Sequence, residues 1–196
     1  MITRAFNWPP ERFRKLSPLV AVEYIVIHHT DSGDVPVETI DGWHVGKGWT
    51  GVGYHYIIRK NGDIEKGRPD NKLGAHVQGH NHHSIGIVLT GNFMNEAPAV
   101  EQMDALNKLL AELKQKHPKA KVVRHRDLQA TACPGNMFPW GGFNQIKPEV
   151  KPMDWKEKIM QDAKTAGLIN EKHNPDEPAT KWFVLAVIMR AMKGDK

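Results

Sequence analysis

Short apolar runs of the kind that form buried β-strands recur before residue 125. They are rich in β-branched and aromatic residues, which favour a pleated, buried conformation. The second run is followed by Asn61-Gly62 and then by residues 63–66, and Asn-Gly between two such segments predicts a β-hairpin. The four runs are residues 23–28, 53–60, 84–90 and 121–124. The pattern therefore predicts five strands, two of them joined in a hairpin.

Apolar residues at helical spacing lie between these strands. Val37, Ile40 and Trp43 share one face of a predicted helix, with Asp34 as its predicted N-cap. A longer pattern over residues 100–116 predicts the clearest helix of the chain. Its apolar stripe consists of Met103, Leu106, Leu109, Leu110 and Leu113. Strands that alternate with helices, together with one hairpin, predict an α/β fold in which a mixed central β-sheet is flanked by helices.

The pattern also divides the chain into regions. The α/β domain is expected to cover residues 1–143, and the prolines that follow predict a linker at 144–154. Residues 155–196 contain two short helical patterns, which predict a small helical C-terminal appendage. A segment this short is too small for a comfortable independent core, so it would dock on the main domain or form a very small module.

Composition narrows the class of protein. The chain has 196 residues, of which 40% are hydrophobic and 25% charged, as is typical of a soluble globular protein. No apolar run reaches the roughly 18 residues of a membrane span. Residues 1–10 lack the apolar segment of a secretory signal, so we expect synthesis in the cytoplasm without a signal peptide. The net charge of +5 favours an anionic partner, but without a basic helix or a recognised motif we expect no nucleic acid.

The candidate chemistry centres on Cys133, the only cysteine of the chain, which excludes an internal disulfide. His125 lies eight residues before it, and His28 ends the first predicted strand. Two imidazoles and one thiolate are good ligands for zinc and leave a fourth position open. Eight residues is the wrong spacing for one helical face, so a loop would have to bring His125 and Cys133 together. The alternative is that Cys133 is a small buried residue, as free cysteines usually are.

Five short motifs occur in one order along the chain, and each is weak alone. They are Tyr24-Ile-Val-Ile-His28-His29-Thr30, Val52-Gly-Tyr54-His55-Tyr-Ile-Ile58, Gly74-Ala-His76, Asn81-His-His-Ser84-Ile-Gly86-Ile, and the segment from His125 to Cys133-Pro134. Their order and spacing resemble the type 2, zinc-dependent N-acetylmuramoyl-L-alanine amidases. This family includes the short phage lysozyme-amidases and the animal peptidoglycan recognition proteins.

The resemblance implies one zinc ion per chain, held by His28, His125 and Cys133. Neighbouring residues of a strand point to opposite faces, so normally only one of His28 and His29 can reach a metal. The resemblance selects His28, which makes His29 a packing or supporting residue. A mixed sulfur and nitrogen ligand set favours zinc over copper or iron.

The resemblance also implies catalytic roles for Tyr54 and Thr131 beside the zinc. The Tyr54 phenol would donate a hydrogen bond to the oxyanion; without the resemblance, it would be interpreted as a half-buried strand tyrosine. Some phage members have a lysine where this chain has Thr131, so electrostatic assistance should be weaker here. His76 and Asn81 are implied to contact the muramyl peptide. The histidine-rich residues 80–83 lack a thiolate or carboxylate, and we expect them to be solvated loop residues.

The activity implied by the resemblance is hydrolysis, by zinc-activated water, of the peptidoglycan amide bond between N-acetylmuramic acid and L-alanine. The short length and the expected absence of a signal peptide favour a monomeric phage endolysin. It would be made in the host cytoplasm and reach the wall through a holin-type pore.

Three alternatives to this function remain. One is a cytosolic amidase that recycles muropeptides, and another is a regulator that binds a polymerase. The third is a non-catalytic peptidoglycan-binding module, although binding-only relatives tend to lose the cysteine that this chain keeps as Cys133. Residues 155–196 faintly resemble one unit of surface-layer-homology-like wall-anchoring modules, with a structural capping role as the alternative.

Overall fold

A single mixed β-sheet organises the part of the chain that the computed structural model describes, residues 2–141. Its strands are β1 (Arg4–Ala5), β2 (Tyr24–His29), β3 (Tyr56–Ile58), β4 (Ile64–Lys66), β5 (Ser84–Leu89) and β6 (Lys121–Arg124). Their order in the sheet is β1-β4-β3-β5-β2-β6. The hairpin of β3 and β4 is antiparallel, whereas β2 is parallel to both β5 and β6. The mixed sheet and the hairpin are therefore confirmed.

Four helices accompany the sheet within the described residues. They are α1 (Pro10–Phe13), α2 (Val37–Gly46), α3 (Val100–Lys116) and α4 (His125–Leu128), and a short 3₁₀ turn spans Asn81–His83. Within residues 2–141, none of these helices is long and apolar enough to cross a membrane. The predicted linker at 144–154 and the appendage at 155–196 lie outside the described residues, so both stay predictions.

The two faces of the sheet carry separate apolar clusters. One cluster packs Ile25 and Ile27 of β2 and the isoleucines of β5 against the leucine stripe of α3. The other joins Val37 and Ile40 of α2 to Ile57 and Val88. Because successive strand residues alternate between faces, His28 projects to the α2 side and His29 to the α3 side. This alternation decides which of the two adjacent histidines faces the site described below.

The predicted N-cap of α2 is wrong. Helix α2 begins after Pro36, which makes no side-chain cap, and the Asp34 carboxylate instead binds Arg59 and the Thr90 hydroxyl. The backbone N–H of Val37, in the first turn, donates to a Glu65 carboxylate oxygen at 2.6 Å. A residue of the neighbouring hairpin thus satisfies the end of the helix that a local cap would otherwise satisfy.

A buried histidine directly before β3 makes the stability of the fold depend on pH. His55 is fully buried, its Nδ1 accepts from the Gly86 N–H, and its Nε2–H donates to the Lys72 carbonyl. Burial lowers the pKa of His55 to about 4. The unfolded chain therefore binds a proton at a higher pH than the folded chain does, and stability falls as the pH drops from the ordinary histidine range towards 4.

We expect His55 to reduce the free energy of unfolding by about 3 kcal/mol over that interval. Urea unfolding of wild type and His55→Gln at several pH values measures the effect. The variant should be less stable at neutral pH but should lose less stability on acidification. Parallel curves for the two proteins would contradict this assignment.

Candidate metal centre and its cavity

Three potential metal ligands meet where strands β2 and β6 end. His28 lies near the end of β2, and His125 begins α4 directly after β6. The two strands are parallel neighbours, and Ile27 pairs with Arg124, so the next residues of both strands reach the same edge of the sheet. The loop after α4 then brings Cys133 back to this edge. The three side chains predicted from the sequence, His28, His125 and Cys133, therefore lie together in the structure.

The geometry of this cluster fits one ion. The ligand atoms of His28, His125 and Cys133 lie within 4.8 Å of one another, and His28 Nδ1 is 3.8 Å from Cys133 Sγ. His28 and Cys133 are buried, whereas His125 is partly exposed. His125 Nε2 donates to Gln129 Oε1 at 3.0 Å, which leaves its Nδ1 as the basic nitrogen. Because two of the three side chains are buried and the third is partly exposed, solvent or substrate can reach the cluster from the side of His125.

The electrostatics of the cluster also favour a bound cation. Burial raises the pKa of the Cys133 thiol to about 11, although the backbone N–H of His29 points at the sulfur from 3.4 Å. A thiolate is therefore unfavourable here without a positive charge beside it. Burial and the neighbouring imidazoles hold the pKa of His28 well below its ordinary value, so this ring is neutral, as a metal ligand must be.

Arg126 holds the loop that carries Cys133. Its guanidinium donates to the carbonyl oxygens of Cys133 and Ala132 and to Asn136 Oδ1, and its backbone N–H donates to the Cys133 carbonyl at 3.0 Å. The Thr131 hydroxyl accepts from the backbone N–H of Cys133 at 3.3 Å. Arg126 could not be predicted from the sequence, because these contacts exist only once the loop has folded back onto α4.

Tyr54 lies beside His28, just before β3. Their ring centroids are 5.1 Å apart, and the His44 ring packs on the tyrosine at 5.6 Å. Burial raises the pKa of Tyr54 above its ordinary value, so the phenol keeps its proton and can donate a hydrogen bond. Thr131, the other predicted catalytic residue, is exposed on the Cys133 loop. Both residues lie near the cluster, and their catalytic roles stay predictions.

His76 and Asn81 are held by contacts within the protein. The His76 ring is buried, and its Nδ1 lies 3.0 Å from His28 Nε2. Asn81 Oδ1 accepts from the backbone N–H groups of His76 and Val77 at 2.7 and 3.0 Å, which closes the loop around the histidine. Both residues also border the cavity described next. The predicted contact with a muramyl peptide stays a prediction.

A cavity of about 700 Å³ opens beside His125. Arg68 lines it and is only 5% exposed, and burial lowers the pKa of its guanidinium to about 10. It donates to the carbonyls of Val52 and Leu73, and within residues 2–141 it forms no salt bridge with a carboxylate. Arg68 could not be predicted from the sequence, since nothing in its local pattern separates it from the other basic residues.

Trp49 also borders the cavity, and no sequence motif marks it as a site residue. It is 42% exposed, and its inner face stacks on His44 with ring centroids 4.6 Å apart. His44 also accepts from the backbone N–H of Gly53 at 3.0 Å, next to Tyr54. His44, for which no motif was recognised, therefore packs between the cavity wall and the tyrosine beside the metal ligands.

The mixed sheet, the cluster of two histidines and one cysteine at its edge and the cavity beside it define an α/β protein with an accessible candidate metal site. The N-acetylmuramoyl-L-alanine amidase family matches residues 18–136, and the chain belongs to that family. It is therefore a peptidoglycan amidase, and the family, the fold class and the enzyme class predicted from the motif order are confirmed.

Known relatives agree with this assignment. The endolysin of Klebsiella phage KP32 is 43% identical over 121 residues, which cover 58% of this chain and 79% of that protein. The structure of the amidase LysC from Clostridium intestinale URNW is 38% identical with a TM-score of 0.65, covering 71% of this chain and 91% of LysC. The structure of Drosophila PGRP-LB is 30% identical with a TM-score of 0.61, covering 68% of this chain and 89% of that one.

Proposed function

We propose that this chain is a zinc-dependent amidase that acts as a phage-type endolysin. It hydrolyses the amide bond between the lactyl group of N-acetylmuramic acid and L-alanine. The observation that carries the proposal is the cluster of His28, His125 and Cys133 beside a cavity of about 700 Å³. The similarity to phage endolysins supports wall degradation as its purpose.

The donor set supports zinc as the cofactor, one ion per chain. Two neutral imidazoles and a thiolate suit zinc, and three protein ligands leave one position for water or substrate. Bound there, zinc would polarise the amide carbonyl and acidify a water molecule. His28 and Cys133 would hold the ion with buried side chains, and His125, which borders the cavity, would hold it with a partly exposed one.

The remaining roles belong to side chains around the cluster. Tyr54 keeps its phenolic proton and donates it in a hydrogen bond to the carbonyl oxygen as negative charge develops there. Thr131 supplies a neutral hydroxyl from the Cys133 loop. His76 and Asn81 border the cavity and shape the wall that the muramyl peptide contacts.

Arg68 places a positive charge in the cavity wall that no carboxylate pairs with among residues 2–141, which suits a carboxylate of the peptide stem. Its side chain is largely buried but lines the cavity, so a carboxylate bound there would form a charge-assisted pair with little screening by water. Arg68→Gln should raise KM for a muramyl peptide about 10- to 100-fold, because a hydrogen bond to a charged group is typically worth a few kcal/mol. We expect kcat to change less, since Arg68 acts on binding.

Steady-state kinetics on a soluble muramyl peptide measures this effect, and the charge-preserving Arg68→Lys is the matched variant. The lysine variant should recover part of the loss. A substrate with amidated stem carboxylates should bind wild type and Arg68→Gln almost equally. An unchanged KM in Arg68→Gln would contradict a substrate role for this arginine.

The proposed function is tested by the release of new L-alanine amino termini from purified sacculi, together with the zinc content of the purified protein. One zinc per chain and amino-terminal release that stops on chelation and returns with zinc are the expected results. Stoichiometric zinc without release from any wall would contradict the amidase and favour the non-catalytic binding module.

The endolysin and the recycling amidase differ in substrate. An endolysin degrades intact sacculi, whereas a recycling enzyme acts only on soluble anhydro-muropeptides. The similarity to phage endolysins favours the first. As part of this proposal, the protein is a monomer that is synthesised in the host cytoplasm and released through a holin-type pore. Comparing the initial rates on the two substrates decides between them.

A further inference from the structure

A chain of hydrogen bonds runs away from the metal cluster behind His28. His28 Nε2 lies 3.0 Å from His76 Nδ1, and His76 Nε2 lies 3.3 Å from Ser84 Oγ. Ser84 Oγ in turn lies 2.7 Å from the backbone carbonyl oxygen of His80. His28, His76 and Ser84 are all buried, so water does not compete for these contacts.

The backbone carbonyl of His80, at the end of this series of hydrogen bonds, determines which atom donates in each bond of the series. A carbonyl oxygen only accepts hydrogen bonds, so the Ser84 hydroxyl must donate its single proton to the backbone carbonyl oxygen of His80. The Ser84 oxygen can then only accept, and the proton comes from His76 Nε2. A neutral imidazole carries one N–H, so His76 Nδ1 has a lone pair and accepts from His28 Nε2–H. His28 Nδ1 is left with its lone pair, and this is the nitrogen 3.8 Å from Cys133 Sγ.

The backbone around His76 is built to hold its ring in this place. A Cβ atom on Gly86 would lie 2.5 Å from His76 Cγ, and one on Gly74 would lie 2.5 Å from His76 Cδ2. Both distances are shorter than a normal contact between carbon atoms, so only glycine fits at these two positions without displacing the His76 ring. Asn81 fixes the backbone of the same loop. The ring therefore sits in a slot that two glycines leave open, with its two nitrogens aimed at His28 and Ser84.

We propose that His76 and Ser84 are positioning residues that hold His28 in the Nε2–H tautomer and present its Nδ1 to the metal. This inference rests on the proposed metal site. It gives His76 a role different from the substrate contact predicted from the sequence. Supporting residues of this kind orient a ligand and raise its basicity, and their loss typically weakens metal binding about 10- to 100-fold.

Long-range nitrogen–proton NMR of histidine-labelled protein reads the tautomers directly. In both zinc-free and zinc-loaded wild type, His28 and His76 should each carry their proton on Nε2. In Ser84→Ala, His76 Nε2 loses the hydroxyl acceptor and keeps only its contact with the backbone of residue 84, so the Nε2–H tautomer of His76 should be less dominant than in wild type. His55 is the internal control, because Gly86 N–H and the Lys72 carbonyl fix its tautomer independently, and its signals also report whether each variant is folded.

Zinc affinity, measured by competition with a chelator, provides the second readout. His76→Leu removes the acceptor and should raise the dissociation constant about 10- to 100-fold, whereas His76→Asn places an amide oxygen near the Nδ1 position and should recover most of the loss. His80→Gln is the matched control. Ser84 bonds the main-chain oxygen of residue 80, so this variant should bind zinc as wild type does.

A proton on Nδ1 of His28, or a His76→Leu variant that is folded and binds zinc as tightly as wild type, would overturn the inference. Failure of the sacculus assay would contradict the proposed activity instead. The predicted tautomers in the zinc-free protein would then still support the role of His76 and Ser84.

Discussion

Replacing Cys133 with serine should abolish both zinc binding and amide hydrolysis. A serine hydroxyl is a poor substitute for a thiolate, and the two remaining ligands, His28 and His125, form an incomplete site. The lost metal removes several kcal/mol of transition-state stabilisation, so amino-terminal release should fall on the order of 10³-fold or more. Metal analysis of the purified variant and the sacculus assay measure the two losses.

The matched control for this substitution lies one residue earlier on the same loop. Ala132 is exposed, and Ala132→Ser adds a hydroxyl to the loop without touching a ligand. It should keep its zinc and most of its activity, which separates loss of the ligand from disturbance of the loop. Hydrolysis that survives both Cys133→Ser and chelation would contradict the metal-dependent mechanism.

The metal ligands could be predicted from the sequence for a physical reason. His28 follows Ile27 in β2, and His125 follows Arg124, the last residue of β6. The carboxyl ends of parallel neighbouring strands meet at one edge of a sheet. Cys133 is the only thiol, so it had no competitor for the remaining sulfur position. Each of these signals is local and does not reveal which strands are neighbours in the sheet. The resemblance carried by the order of the motifs indicated that the strand ends at His28 and His125 lie side by side.

What sequence reasoning missed depends on contacts between distant segments. Asp34 has the residue type and position of an N-cap, but its carboxylate instead accepts a hydrogen bond from Arg59, 25 residues away. The first turn of α2 donates its backbone N–H to Glu65. Arg68 is distinguished only by its burial without an acidic partner in the described part of the chain. The link between His76 and His28 spans 48 residues and requires the sheet to be assembled first. Tertiary geometry, not residue type, assigns these roles.

Replacing Tyr54 with phenylalanine should slow the reaction while leaving zinc in place. Phenylalanine keeps the ring that packs on His28 and His44 and removes only the phenolic hydroxyl. Loss of one donor to a developing oxyanion typically costs about 2.7–4 kcal/mol, so kcat should fall about 10²- to 10³-fold. KM should change little, because the bond strengthens only as negative charge develops. Zinc content and steady-state kinetics on a soluble muramyl peptide measure both effects.

Tyr56→Phe is the control that separates a catalytic role of the Tyr54 hydroxyl from the loss of stability that removing any buried tyrosine hydroxyl causes. Tyr56 lies two residues further on, and its hydroxyl donates to Asp70 at 2.7 Å, within the other apolar cluster. Its removal should lower stability and leave kcat close to that of wild type below the unfolding transition. If the Tyr54 variant binds zinc and turns over as fast as the Tyr56 variant, Tyr54 is a packing residue of the sheet. The oxyanion would then have to be stabilised by other groups, of which the Thr131 hydroxyl is the next to replace.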